Sequence, residues 1–192
     1  PYLAASFPMI ASASLERKGK NLIVKIEERE PAGVWCPSES ASSAQTNDQP
    51  LVEVANTSAS PSVSGGCFWF DSNGNAYKNA LRPSGGLVLV VDGYPGQKEG
   101  KQRNVLDEKQ MATVEAIWKV LKAVSIRPQS IRLGTPDLQE ITVSLQSGPS
   151  LLFSSRYNPS YALPVIKQLQ QEGLFASLQY IDFRVQNRAY YK

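Results

Sequence analysis

The stretch ITVSLQSGPSLLFS, residues 141–154, decides how this chain folds. Ile141, Val143 and Leu145 alternate with polar side chains, which is the period-two pattern of a strand with one buried face. A Gln-Ser-Gly-Pro turn follows, and then a second apolar run at residues 151–154. The stretch therefore predicts a β-hairpin within a mainly antiparallel sheet.

Similar signals on both sides of this hairpin extend the sheet. A Lys-Gly-Lys-Asn turn lies within a predicted hairpin at residues 14–28, and an Asn-Gly turn at residues 71–75 joins two more strands. The apolar run at residues 87–91 predicts a strand covered on both faces. Further strands are predicted at residues 130–133, 178–185 and 189–192.

Two helices are predicted between these strands. Asp107 stands at the N-cap position of the first, with Gln110 three residues later to complete a capping box. Its apolar stripe is typical of a core face, and it comprises Met111, Val114, Ile117 and Leu121, with Trp118 beside them. The second helix is predicted at residues 162–172, with Pro164 in its first turn and Gly173 after its end. The fold class is therefore α+β, a mainly antiparallel sheet with two helices packed on it.

Composition argues against several functional classes. The 192 residues are 42% hydrophobic, which is enough for a real core, and a net charge of +3 is too small for a nucleic-acid footprint. The chain has no His, so it lacks the usual general base and zinc ligand. We therefore expect no enzymatic activity, no cofactor, no metal and no small-molecule substrate.

The chain carries no apolar run of the roughly 20 residues that a membrane helix needs. It begins at Pro1 without a leader, so we expect a mature product or a fragment of a longer precursor.

The two cysteines flank a Ser-rich stretch. Residues 37–66 have too few large apolar side chains to fold alone, so we predict a flexible insertion there. Cys36 and Cys67 end and begin aromatic-rich strand signals on its two sides. A disulfide between those strands would imply an oxidising compartment, but two buried free thiols fit the same sequence.

Other chemistry-bearing residues give weaker signals. Glu140 and Asp182 could form a glycosidase-like carboxylate pair only if folding brought them together, and solvated or ion-paired strand residues are the simpler interpretation. The glycine-rich residues 93–101 lack the spacing of a phosphate loop and predict a surface turn. Basic and aromatic residues near the C-terminus could stack on single-stranded nucleic acid, but they fit a sheet edge better.

Three motifs, in this order, resemble the bacterial cell-division FtsQ/DivIB family. LIVKIEEREPAGVW at residues 22–35 resembles the junction between a small POTRA domain and the following β domain. FWFDSNGNAYKNA at residues 68–80 resembles the next hairpin, and IDFR at residues 181–184 resembles the family's closing strand, with NRAYY at residues 187–191 after it. The Ser-rich insertion and its cysteines depart from the family pattern.

The resemblance implies a domain organisation and a role. Residues 1–30 would be the C-terminal part of a POTRA domain, and residues 31–192 the β domain with its insertion at 37–66. The family's members are single-pass inner-membrane proteins of the divisome whose larger part lies outside the cytoplasm, where they act in septum formation. The resemblance therefore implies contact with the membrane only through an upstream helix.

The family also implies the partners and the binding residues. Its last strands take up a segment of FtsB by strand addition, and FtsL is recruited with it, without nucleic acid. Carried onto this sequence, the partner-binding edge comprises Arg184, Val185, Asn187, Arg188, Ala189, Tyr190, Tyr191 and Lys192.

Two other classes of protein stay open at this point. A different secreted or envelope binding module, related to carbohydrate binding or to assembly, would use Trp35, Trp69 and Tyr77 as a stacking surface. A secreted hydrolase would need two carboxylates that face each other in a deep cleft.

Overall fold

The computed structural model describes residues 6–38, 66–94 and 104–192 and has the predicted α+β architecture. Two helices and two sheets account for its regular structure. The strands are β1 (Ile10–Lys18), β2 (Asn21–Glu28), β3 (Gly33–Cys36), β4 (Cys67–Phe70), β5 (Ala76–Ala80), β6 (Val90–Asp92), β7 (Pro128–Leu133), β8 (Glu140–Leu145), β9 (Ser150–Ser154), β10 (Tyr180–Asp182) and β11 (Tyr190–Tyr191). The helices are α1 (Glu108–Ala123) and α2 (Ala162–Gln171).

Nine strands form one mixed sheet in the order β11-β10-β9-β8-β7-β6-β3-β4-β5. Five of its pairings are antiparallel, and all but the β3–β4 pair join strands linked by short connections. The other three, β3 with β6, β6 with β7 and β9 with β10, are parallel. Helix α1 connects β6 to β7, and α2 lies in the connection from β9 to β10, as parallel pairing requires a long crossover.

The main core lies between one face of this sheet and the two helices. Val91, Ile131, Val143 and Ile181 occupy the central positions of their strands and are fully buried. Their facing residues on α1 and α2 include Val114, Ile117, Leu121, Ile166 and Leu169. Burying a side chain of this size stabilises the fold by about 1.5–3 kcal/mol, so this layer supplies most of the driving force.

Local sequence explains where α1 begins. The Asp107 side chain accepts a hydrogen bond from the Gln110 N–H at 2.7 Å, and the Gln110 side chain accepts one from the Asp107 N–H at 3.0 Å. This is the predicted capping box, which satisfies two backbone donors that the first helical turn leaves unpaired.

The first two strands form a separate hairpin. β1 and β2 pair with each other alone among the described residues, and their residues are mostly exposed. Leu15 and Val24 lie opposite each other in this hairpin and are 65% and 49% exposed. One apolar face of the hairpin is therefore uncovered in the described part of the chain.

Arg29 joins this hairpin to the main sheet. Its Nε donates to the Pro8 carbonyl at 3.0 Å, and its Nη1 donates to Asp71, which is 4% exposed in the turn after β4. The Asp71 carboxylate also accepts from the Asn73 and Asn75 N–H groups, both at 2.9 Å. The pair fixes the hairpin against the turn between β4 and β5.

The predicted lengths of three strands, β6, β10 and β11, need correction. β6 covers only Val90–Asp92, and Leu87, which was predicted to lie in a strand covered on both faces, is 76% exposed. The last two strands are shorter than predicted, at three and two residues, because the chain leaves the sheet after Asp182 and turns through Asn187, which has a positive φ, before it returns as β11. Most of the predicted insertion, at residues 39–65, and the turn at residues 95–101 lie outside the described residues.

Candidate partner-binding edge

β11 is the outermost strand of the nine-stranded sheet. Within the described residues it pairs with β10 alone, through the positions Ile181 with Tyr191 and Asp182 with Tyr190. The predicted edge residues Ala189, Tyr190, Tyr191 and Lys192 therefore lie at one end of the sheet. Such an edge presents backbone donors and acceptors that a further strand can use.

Backbone geometry distinguishes the two tyrosines of β11. The Lys192 N–H donates to the Tyr180 carbonyl at 3.4 Å, and the Lys192 carbonyl accepts from the Gln179 N–H at 2.6 Å. Backbone groups of successive strand residues point to opposite sides, so Tyr190 and Lys192 bond inward to β10. The N–H and carbonyl of Tyr191 consequently face outward, away from the sheet.

The side chains of the same two residues lie on opposite faces. Tyr191 is opposite the fully buried Ile181, so its ring lies on the face that the helices cover, whereas Tyr190 shares the open face with Asp182. Their exposed fractions are 52% and 49%. The hydroxyl of Tyr190 accepts a 3.4 Å hydrogen bond from Arg188. The edge thus offers one aromatic ring on each face.

Hydrogen bonds from the Tyr161 hydroxyl fix the loop between β10 and β11. The Tyr161 hydroxyl, at the end of a 3₁₀ turn before α2, donates to the Phe183 carbonyl and lies 3.4 Å from the Val185 carbonyl. Burial, and then the Asp182 carboxylate, raises the pKa of Tyr161 above its usual value. Phe183 stacks on Phe153 in the core, with ring centroids 5.2 Å apart.

Asn187 shapes the turn itself. It has a positive φ of 56°, which Asn tolerates better than most residues, and the Arg188 N–H donates to the Val185 carbonyl at 3.1 Å. The loop therefore returns the chain onto β10 in a defined register.

Arg184 is the centre of an ion cluster beside the edge. Its guanidinium donates to Asp182 at 2.7 Å and to Glu140, on β8, at 2.5 Å. Hydrogen bonding from Arg184 lowers the pKa of Asp182, and the two carboxylates in turn raise the pKa of Arg184. The predicted edge residue Arg184 thus ties β10 to β8 across β9.

This cluster also shows what the two candidate carboxylates do. Folding brings Glu140 and Asp182 to one shallow groove of about 370 Å³, but Arg184 lies between them and bonds to both. A glycosidase needs one carboxyl group with a raised pKa to act as the acid, whereas the pKa of Asp182 is lowered. The arrangement suits a structural ion cluster better than acid–base chemistry.

The aromatic stacking surface does not assemble either. Trp35 is 1% exposed in the main core, and Trp69 lies on the opposite face of the sheet, because neighbouring strand positions alternate between faces. Tyr77 is 8% exposed. The three rings therefore share no common exposed plane.

Cys36 and Cys67 form a disulfide, one of the two possibilities that the sequence left open. They stand opposite each other at the ends of β3 and β4, one position beyond the pair of Trp35 with Phe68. Across residues 6–38, 66–94 and 104–192, no group of three or more His, Cys, Asp or Glu side chains is placed to hold a metal ion. Neither helix in the described part of the chain has the length and apolar character needed to cross a bilayer.

Sequence reasoning missed two parts of this site. It expected Glu140 to be solvated or ion-paired but did not identify Arg184, 44 residues further along the chain, as its partner, and it did not single out Tyr161. The nearest local signal is the spacing of Asp182 and Arg184, which puts two opposite charges at i and i+2.

Comparison of the chain with protein-family models and with curated proteins finds no match to either.

Proposed function

We propose that this chain is a non-catalytic extracytoplasmic scaffold of the bacterial cell-division machinery, of the FtsQ/DivIB type. It recruits small single-span partners of the FtsB and FtsL type by taking up a segment of the partner as an additional strand beside β11. An upstream helix anchors it in the inner membrane. The disulfide supports an extracytoplasmic location, since such bonds persist in oxidising compartments.

The observation that carries this proposal is the outward direction of the Tyr191 N–H and carbonyl at the end of the sheet. A strand added there gains main-chain hydrogen bonds, which supply register and affinity. The exposed rings of Tyr190 and Tyr191 would contact the added strand on the two faces, and aromatic cross-strand contacts contribute roughly 0.2–1 kcal/mol each.

Charged side chains beside β11 would select among possible partner segments. Arg188 and Lys192 stand on the edge, and Arg184, although paired with two carboxylates, is still 40% exposed in its side chain. A partner segment that carries acidic residues would meet complementary charge, which raises association rates and excludes basic segments.

The first testable prediction uses Tyr191→Pro. Proline removes the outward N–H but no bond to β10, so the fold stays intact while capture of an FtsB-type peptide weakens by about tenfold or more. The measurement is a binding titration with the peptide, together with circular dichroism of the variant.

Two further variants make that test specific. Tyr191→Ala keeps the N–H and loses only the ring, so it should bind more tightly than Tyr191→Pro. Tyr190→Pro removes a donor that faces β10 and should disturb the strand itself. Equal peptide binding by wild type and Tyr191→Pro would contradict strand addition at this edge.

A further inference from the structure

A cleft at the carboxyl ends of the neighbouring strands β3 and β6 holds two arginines beside the disulfide. The cleft, called the disulfide cleft here, is lined by Cys36, Ser38, Cys67, Arg82, Asp92 and Arg132 and has a volume of about 550 Å³. Small-molecule sites in proteins typically occupy about 300–1,000 Å³. The cleft is therefore large enough for a small ligand.

Its place in the topology is one where ligands bind. Strands β3, β6 and β7 are parallel neighbours, and Cys36 and Asp92 are the last residues of β3 and β6. After β3 the chain continues to β4 and β5 on one side, and β6 and β7 lie on the other. In open α/β sheets, ligands bind in the crevice outside the carboxyl ends of parallel strands where the strand order reverses, and the parallel pair β3–β6 reproduces that local arrangement in this mixed sheet.

Asp92 fixes one of the two arginines. It is 5% exposed, and its two oxygens accept from Arg82 at 2.7 and 3.0 Å in a bidentate pair. Burying this carboxylate is tolerated only with such a partner. The pair therefore forms one wall of the disulfide cleft, and the opposite charges of its two members offset each other.

Arg132 supplies the uncompensated charge. It lies beside Asp92 in register on β7, between Asp92 and Thr142, and is exposed. Asp92 pairs with Arg82 instead, and within the described residues Arg132 has no carboxylate within ion-pair distance. Among the described residues that line it, the disulfide cleft thus carries one positive charge in excess, on a guanidinium that can present two parallel donors to an oxyanion.

We infer that the disulfide cleft binds the oxyanion group of a small molecule, a carboxylate or a phosphate, through Arg132. The Arg82–Asp92 pair and the disulfide form the walls against which the rest of the ligand packs. This site is distinct from β11 and binds without any chemical step. The inference does not depend on the proposed scaffold function.

The test is a titration of the full 192-residue chain, followed by nuclear magnetic resonance at constant ionic strength. The probes are inorganic phosphate and succinate, which separate the two oxyanion classes. We expect saturable shifts at the amides of Ser38 and Asp92 with at least one probe. In Arg132→Gln, loss of one charged hydrogen-bonding partner should weaken that binding by about tenfold.

Arg17→Gln is the matched control, because Arg17 is an exposed strand arginine in the separate hairpin. It should bind the probe as the wild type does. Shifts that rise linearly with both probes, or equal affinities in Arg132→Gln and Arg17→Gln, would overturn the inference. Arg132 is exposed and makes no described ion pair, so its replacement leaves the fold intact and the comparison valid.

Discussion

At the scale of a single residue, Arg184 forms two ion pairs beside the candidate edge, and these pairs contribute to stability. Its guanidinium bonds to Asp182 and Glu140 from a partly exposed position, so solvent screens the pairs and reduces their contribution. We predict that Arg184→Gln lowers the free energy of unfolding by about 1 kcal/mol at pH 7. Urea denaturation of the two proteins measures this difference.

The same variant has a defined pH dependence. The pKa of Asp182 is lower in the folded protein than its ordinary value of 3.8, so the contribution is complete above that value. It is lost as pH falls through the lowered folded pKa. The stability difference between wild type and Arg184→Gln should therefore shrink below about pH 4. Arg156→Gln, on the same groove, is the control, and a difference that stays constant down to pH 2 would contradict the role of Asp182.

At the scale of structural elements, the disulfide between β3 and β4 contributes to the stability of the fold. It closes a loop with a sequence separation of 31 between the ends of β3 and β4. In the chain-entropy model, a loop of that length stabilises the fold by roughly 3–4 kcal/mol. We predict that the double variant Cys36→Ala, Cys67→Ala loses an amount of this order, measured as the free energy of unfolding from urea denaturation with the slope of each protein fitted separately.

Alkylation tests the bond itself. Both thiols should react only after reduction under denaturing conditions, and mass spectrometry counts the added groups. Labelling of both cysteines without a reductant would contradict the disulfide. A double variant as stable as the wild type would instead mean that the loop closure contributes nothing.

Elements set by local sequence could be predicted, and those set by distant contacts could not. The capping box of Asp107 and Gln110 and the turn before β9 depend on neighbouring residues, and the structure has both. The exposure of Leu87 escaped prediction, because an apolar run does not reveal which neighbours cover it. The parallel pairing of β9 with β10 escaped it for the same reason.

Local sequence likewise predicted only part of the candidate edge. The position of the last strand followed from sequence order and from strand signals around Tyr190. The inward and outward directions of the two tyrosines depend on hydrogen-bond register, which no residue pattern encodes. The bond between Arg184 and Glu140 likewise required folding to bring β8 near β10.

At the scale of the whole molecule, one buried ion pair links the hairpin to the sheet. Removing the Arg29 guanidinium leaves the buried Asp71 with only its backbone and Asn75 donors. We predict that Arg29→Gln lowers the free energy of unfolding by about 2 kcal/mol, the usual contribution of a hydrogen bond to a charged group. It should also speed hydrogen exchange in β1 and β2 more than in β8.

Hydrogen exchange with mass spectrometry separates the two effects. Arg17→Gln, within the hairpin but away from the junction, should leave both readouts unchanged. If exchange in Arg29→Gln rose equally in β2 and β8, the ion pair would contribute to global stability without orienting the hairpin.

The main-chain hydrogen bonds of Lys192 have a practical consequence. Lys192 makes two main-chain hydrogen bonds, with Gln179 and Tyr180, so a tag or fusion attached after it would start next to β11 and obstruct the candidate partner-binding edge. The hairpin, in contrast, joins the sheet near Asp71, seven strand positions and roughly 30 Å away along the sheet. Immobilisation through residues before β1 would leave the candidate partner-binding edge accessible, whereas capture through a tag placed after Lys192 would obstruct the predicted binding.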